Sequence, residues 1–121
     1  MKICITAQGK ELGTQVDQRF GRCQYFFIID TETEKIDIVE NPNKDGMGGV
    51  GIQSAQFLAE KQVKTVLTGN VGPNAFQTLK AADIIVLTGV SGTIEEVLEK
   101  YKKKEYKSSE EPSVDSHFGS K

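Results

Sequence analysis

The sequence predicts a single α/β domain built on a mixed five-stranded sheet. Three observations carry that prediction. An apolar, β-branched run followed by a Gly-bearing turn and an amphipathic helix occurs twice in succession, over 64–82 and again over 84–101. Two strand-like runs, 25–29 and 36–40, are joined by a connection short enough for a hairpin. The first run, 2–7, has no partner of its own and must join the hairpin to the repeated strand–turn–helix units. Right-handed crossovers then set strands one, four and five side by side and parallel, with strands two and three antiparallel at one edge. The expected order is 3-2-1-4-5.

Length and composition fit that reading. At 121 residues the chain is large enough for one core without staples. Its 37% hydrophobic and 26% charged content is ordinary for a globular protein. A formal net charge of -2 gives no general attraction to nucleic acid or to acidic membranes, so any anion site has to be local. No apolar run approaches the ~20 residues that span a bilayer, and Met1 and Lys2 lead directly into a strand pattern without an apolar leader. The expectation is a cytoplasmic monomer with no nucleic-acid or membrane partner. In that compartment Cys4 and Cys23 are free or metal-bound rather than paired.

Taken in order, Ile3, Ile5 and Ala7 alternate with Lys2, Cys4 and Thr6 as the first strand, which makes Cys4 a small buried hydrophobe. Residues 8–22 are polar and Gly-punctuated, anchored only by Val16 and Phe20, and read as a loop able to order around something. Tyr25 to Ile29 and Ile36 to Glu40 form the hairpin, and the alternation of the second run implies one wet face. After Pro42 a Gly-rich stretch (Gly46, Met47, Gly48, Gly49, Val50, Gly51) opens a helix carrying Ile52, Ala55, Leu58 and Ala59. It matches G-x-G-x-x-G in letters. The context of a dinucleotide site is missing, because the preceding strand belongs to a hairpin and no acidic residue follows about 20 positions on.

Strand four, 64–68, ends in Gly69, Asn70, Val71 and Gly72 before a helix starting at Pro73, where a missing amide donor does no harm. Amides at such a helix start project from the carboxyl edge of the sheet, and with the helix dipole they favour an anion. A plain tight connection would use the same residues. Ile84 to Leu87 is a continuous apolar run, expected to be buried on both faces. Thr93 with Glu96 three residues on is a capping box for the last helix, which carries Ile94, Val97, Leu98 and Tyr101. The domain is expected to occupy 1–104. Residues 105–121 are rich in Lys, Glu and Ser and are expected to form a flexible polar tail. Within that tail Val114-Asp115-Ser116-His117-Phe118-Gly119 echoes Val16-Asp17-Gln18-Arg19-Phe20-Gly21 at four of six positions.

Several of these stretches together resemble the nitrogenase iron-molybdenum cofactor biosynthesis domain family (the NifX type, also the carboxyl-terminal domain of NifB). They are Asp17, Phe20, Gly21 and Arg22; Asn41 and Pro42 before Gly48, Gly49 and Gly51; Thr68 to Phe76; and Gly92, Thr93, Glu95 and Glu96. The resemblance covers roughly residues 1–100. It implies a ribonuclease-H-like three-layer fold and a non-enzymatic role: binding or carrying an iron-sulfur or iron-molybdenum cluster or its precursor, with a possible protein partner in cluster transfer. One position departs from the family pattern D-x-H-F-G, since Arg19 stands where the His would be. Arginine offers no lone pair to a metal. Cys23 beside the loop is a soft donor, and its thiolate would be favoured by Arg19 and Arg22 if the loop folds inward. His117 in the tail echo could supply the missing imidazole.

The resulting candidate site has Arg19, Arg22, Gly48, Gly49, Gly51, Gly69, Asn70 and Gly72 holding an anionic cluster or small anion, with Cys23 and His117 as metal ligands and no catalytic residue. Two other classes remain open. One is a regulatory module for a small anion or a protein, without metal. The other is a nuclease, which lacks the carboxylates that two-metal hydrolysis needs on strands one and four.

Overall fold

The computed structural model describes residues 1–106. The chain runs β1 (Lys2–Ala7), β2 (Tyr25–Asp30), β3 (Ile36–Glu40), α1 (Val50–Glu60), β4 (Val63–Leu67), α2 (Pro73–Ala81), β5 (Ile85–Leu87) and α3 (Ile94–Lys102). The sheet order is β3-β2-β1-β4-β5. β1 pairs with β2 and β2 with β3 antiparallel, while β1–β4 and β4–β5 are parallel, as the sequence predicts.

Alternation along β1 divides the core in two. Ile3, Ile5 and Ala7 face one side, where α3 supplies Ile94 and Val97. Cys4 faces the other, where α1 and α2 supply Ala55, Leu58, Phe76 and Leu79. Helices therefore cover both faces and the domain has three layers. β5 departs from the expectation of burial on both faces. It is the edge strand, only three residues long, and Ile85 is 49% exposed because the sheet ends there and no helix covers that side chain. The expected capping box is present: Thr93 Oγ1 accepts from the Glu96 amide at 3.2 Å and the Glu96 carboxylate accepts from the Thr93 amide at 2.9 Å. Beyond α3, Tyr106 packs against the α3-side core and lines a cavity of about 470 Å3 with Ile29, Asp30, Ile36, Leu98 and Tyr101.

Because β2 is antiparallel to β1 and to β3, Ala7, Tyr25 and Glu40 lie in register at one edge. Leu67 ends parallel β4 at the same edge. The connections 8–24, 41–49 and 68–72 are thereby gathered together, with the starts of α1 and α2 beside them.

Candidate functional site

A groove of about 630 Å3 opens at this carboxyl edge. Its walls are Arg19, Phe20, Gly21 and Arg22 from the first loop, Gly48 to Ile52 at the start of α1, and Asn70 with Gly72 to Ala75 at the start of α2. Most of the residues named from sequence for an anion converge here.

The first loop is ordered from beneath. Val16 and Phe20, its two apolar residues, are each 2% exposed. The loop joins the sheet through isolated bridges, Ala7 with Val16 and Arg19 with Asn70. Asp17 is buried, a role not assigned to it from sequence. Its carboxylate accepts from the amides of Arg19 (3.1 Å) and Gln24 (3.3 Å) and from Arg19 Nε (3.3 Å), so it orients the arginine that faces the groove. Its carbonyl accepts from Thr6 Oγ1 at 2.7 Å, and Thr68 Oγ1 lies a further 2.7 Å from that hydroxyl. Asn41 is the second organiser that sequence reasoning left without a role. Its Nδ2 donates to the carbonyls of Gly21 (3.1 Å) and Cys23 (3.0 Å), while its Oδ1 accepts from the Asn43 amide at 3.0 Å. The sequence signal for both is their place among the motif residues that carry the family resemblance, Asp17 ahead of Phe20 and Gly21 and Asn41 ahead of Pro42. Arg22 donates to the Lys44 carbonyl at 3.2 Å, tying the first loop to the 41–49 connection.

Close packing sets the distance between the helix starts. A Cβ on Gly21 would stand 2.9 Å from both the Cα and the N of Gly51, and a Cβ on Gly51 would stand 3.0 Å from the Ala75 methyl. Gly48 and Gly49 have φ of 72° and 65°, the left-handed region that favours glycine, and they swing the chain into α1. Neither α1, capped by Gly49, nor α2, capped by Gly72, has a side-chain cap or an acidic residue in its first turn. α3, whose capping box includes Glu96, has both. First-turn amides of a helix lack intrahelical partners, so the two helices that face the groove leave donors and dipole open to it.

Four sequence expectations change or fall outside. Cys23 does not line the groove: it is fully buried in the core on the α1–α2 side. Burial, then the Asp17 charge, pushes its thiol up, and the hydrogen bond from Asn41 and the Arg19 charge do not offset them, so the expected thiolate is not favoured. Gly69 is not among the groove-lining residues; it is a point of close approach, where a Cβ would stand 2.7 Å from Gln18 Cα. Asn70 lines the groove, yet its amide already donates to the Gln18 carbonyl at 2.8 Å. His117 lies outside the described residues. Cys4 is fully buried, as its strand position predicts.

Among the described residues no group of three His, Cys, Asp or Glu side chains is placed to hold a metal ion. No described helix is long and apolar enough to cross a membrane. Fold and groove thus define a class: a three-layer α/β domain whose carboxyl edge presents two helix starts without side-chain caps and two arginines. The chain belongs to the dinitrogenase iron-molybdenum cofactor family, whose sequence profile matches residues 1–104.

Relatives carry the same architecture. The apo form of the orange protein from Desulfovibrio gigas is 34% identical, with a TM-score of 0.89 over 93% of this chain and 95% of that one. A Thermotoga protein assigned provisionally to NifB is 36% identical, with a TM-score of 0.78 over 88% and 91%. The uncharacterized protein MJ0580 of Methanocaldococcus jannaschii is 33% identical over 101 residues, 81% of this chain and 82% of that relative.

Proposed function

We propose that the carboxyl-edge groove binds an anionic metallocluster, of the iron-sulfur or iron-molybdenum class or a precursor of one, as a preassembled unit that the protein carries without chemically changing it. One observation carries the reading: two uncapped helix starts and two arginines face a single groove in which the described residues offer no set of three metal-ligating side chains. A cluster whose metals are already satisfied by its own sulfides needs charge and hydrogen-bond donors from its carrier, and amides and guanidinium groups supply both. Membership of the family supports the cluster over other anions. Cys23, buried as a thiol, is then a packing residue and not a ligand. Carriage ends in transfer to an acceptor protein, so a loosely held cluster is an advantage.

The test is anaerobic purification followed by metal and sulfide analysis and a visible spectrum. Bound iron or molybdenum with sulfide and charge-transfer absorption is the expected result. In parallel, titration of the colourless protein with molybdate and with inorganic phosphate should move the amide signals of Gly49, Gly51 and Gly72 first. Colourless protein from anaerobic cells that binds phosphate tightly at the same amides would replace the cluster reading with an ordinary anion-binding module, while shifts confined to the opposite edge would remove the site itself.

A further inference from the structure

The cavity of about 470 Å3 on the α3 side of the sheet has no wall in common with the carboxyl-edge groove. It lies at the other end of the strands: Asp30 on its wall is in register with Lys2 at the start of β1, whereas the groove opens beyond Ala7 at its end. Its size falls within the range of about 300–1,000 Å3 that small-molecule sites occupy.

Packing explains the space. Ile94 and Val97 of α3 are fully buried in one core with Ile3 and Ile5 of the central strand. Towards the hairpin edge Ile36, Leu98 and Tyr101 are only half-buried, and they line the cavity with Ile29. The chain leaves α3 through a left-handed residue. Lys104 has φ of 59°, its amide donates to Tyr101 O at 2.9 Å and the Glu105 amide donates to Lys100 O at 3.1 Å, the Schellman pattern. That turn brings Tyr106 back onto the core as part of the cavity wall.

The polar groups on this wall are not all satisfied. Glu34 accepts from Lys102 Nζ at 3.4 Å. The Asp30 carboxylate accepts from the amides of Glu32 and Thr33 at 2.9 and 3.3 Å and stands 4.0 Å from the amino-terminal ammonium. Lys104, by contrast, makes no ion pair among the described residues. The Tyr106 hydroxyl is shielded from solvent and has no hydrogen-bond partner among them. A buried hydroxyl left unpaired costs free energy that an acceptor on a ligand would recover. Lys104 also occupies a position where glycine is the usual residue, and Lys100 and Lys102 already lie in the last turn of the helix. Neither the turn nor the helix dipole requires a further charge there. What the cavity leaves open is therefore one cation and one hydroxyl donor beside an apolar wall.

We propose that this cavity is a second ligand site, separate from the groove, for a monocarboxylic acid with an apolar body. The body lies against Ile29, Ile36, Leu98 and Tyr101, and the carboxylate accepts from Lys104 Nζ and the Tyr106 hydroxyl. The assignment does not depend on what the groove binds. Tyr101 and Tyr106 are two of the three tyrosines in a chain without tryptophan, so tyrosine fluorescence reports on the cavity. Decanoate, 1-decanol and decylamine share one body and differ in the head, and each is titrated into the full-length protein below the concentration at which it self-assembles. Decanoate should bind about 3- to 10-fold more tightly than decanol, the size of one net hydrogen bond, and decylamine most weakly. Amide signals of Ile29, Ile36, Leu98 and Tyr101 should move while those of Gly49, Gly51 and Gly72 stay in place. Lys104→Gln should bring decanoate down to the affinity of decanol and leave decanol unchanged, and Tyr106→Phe should weaken decanoate by a similar factor, both in proteins that keep the natural amide spectrum elsewhere. Equal affinity for the three heads, shifts that map to the groove, or variants that bind decanoate as the natural protein does would overturn the proposal. So would a cavity that takes none of the probes, or signals of Leu98 and Tyr101 that shift with protein concentration alone, which would give this face to a second copy of the chain.

Discussion

Substituting Gly21 by Ala tests the contact that sets the groove's width. The added Cβ would stand 2.9 Å from two backbone atoms of Gly51, short of the 3.4 Å at which ordinary contact begins. Backbone cannot rotate away as a side-chain end can, so the start of α1 has to retreat by about half an ångström, or the loop has to lift. Overpacking of this kind costs about 1–3 kcal/mol, which for a domain of this size lowers Tm by roughly 5–15 °C. Gly48→Ala is the control. Its Cβ would meet nothing within 4 Å, but its φ is 72°, so it carries the conformational penalty alone, about 1 kcal/mol. Thermal unfolding gives the two magnitudes, and amide shifts separate the causes. Gly21→Ala should move Val50, Gly51, Ile52 and Ala75 together, whereas Gly48→Ala should perturb only its own loop. If Gly21→Ala leaves Tm unchanged and its shifts stay within residues 20–22, the close approach of loop to helix is wrong, and with it the argument that glycines space the helix starts.

Further predictions follow from the same geometry. Arg19→Gln and Arg22→Gln should each weaken phosphate or molybdate binding by about 3- to 10-fold, the size of one net hydrogen bond at a solvent-screened rim. Calorimetry at two salt concentrations checks this, because the loss should shrink as salt rises. Cys23→Ala should leave that binding intact while lowering stability through lost packing; lost binding in a protein of native Tm would return Cys23 to the site. Both buried thiols have pKa values raised above the usual 9.0, mainly by burial. The sign follows from linkage: above pH 9 the unfolded chain releases protons that the folded chain retains, so stability is full below pH 9 and falls above it. The slope approaches about 1.4 kcal/mol per pH unit for each thiol, and denaturant titrations at pH 8 to 11 of the natural protein and of Cys4→Ala should show it halved in the variant. Purified protein should not cleave an RNA/DNA hybrid with magnesium, since β1 and β4 carry no carboxylate; cleavage abolished by one acidic substitution would refute this.

The sheet order is readable in the sequence because each decision behind it is local. A five-residue connection forces strands two and three into a hairpin, and a helix between two apolar runs forces parallel neighbours. That topology alone gathers Arg19, Arg22, Gly48, Gly49, Gly51 and Gly72 at one edge, so their convergence on the groove could be anticipated without side-chain detail. Orientation could not. Cys23 lies two residues before β2, where a single-residue shift exchanges core for solvent, and the arginines beside it in sequence say nothing about which way it turns. Asp17 and Asn41 are hidden for a related reason. In an unstructured reading they are polar loop residues like Gln8 or Asn43, and their roles depend on partners that are mostly backbone groups: the amides of Arg19 and Gln24, the carbonyls of Gly21 and Cys23. Backbone donors and acceptors are identical at every position, so no residue pattern marks the ones a buried carboxylate or amide will find. The same limit applies to Asn70, whose amide looks available in a Gly-rich turn until the first loop pairs with it. A groove made chiefly of main-chain donors is for this reason legible in outline, through the glycines that let backbones approach, while the assignment of each amide waits on the tertiary contacts that use some and leave others open.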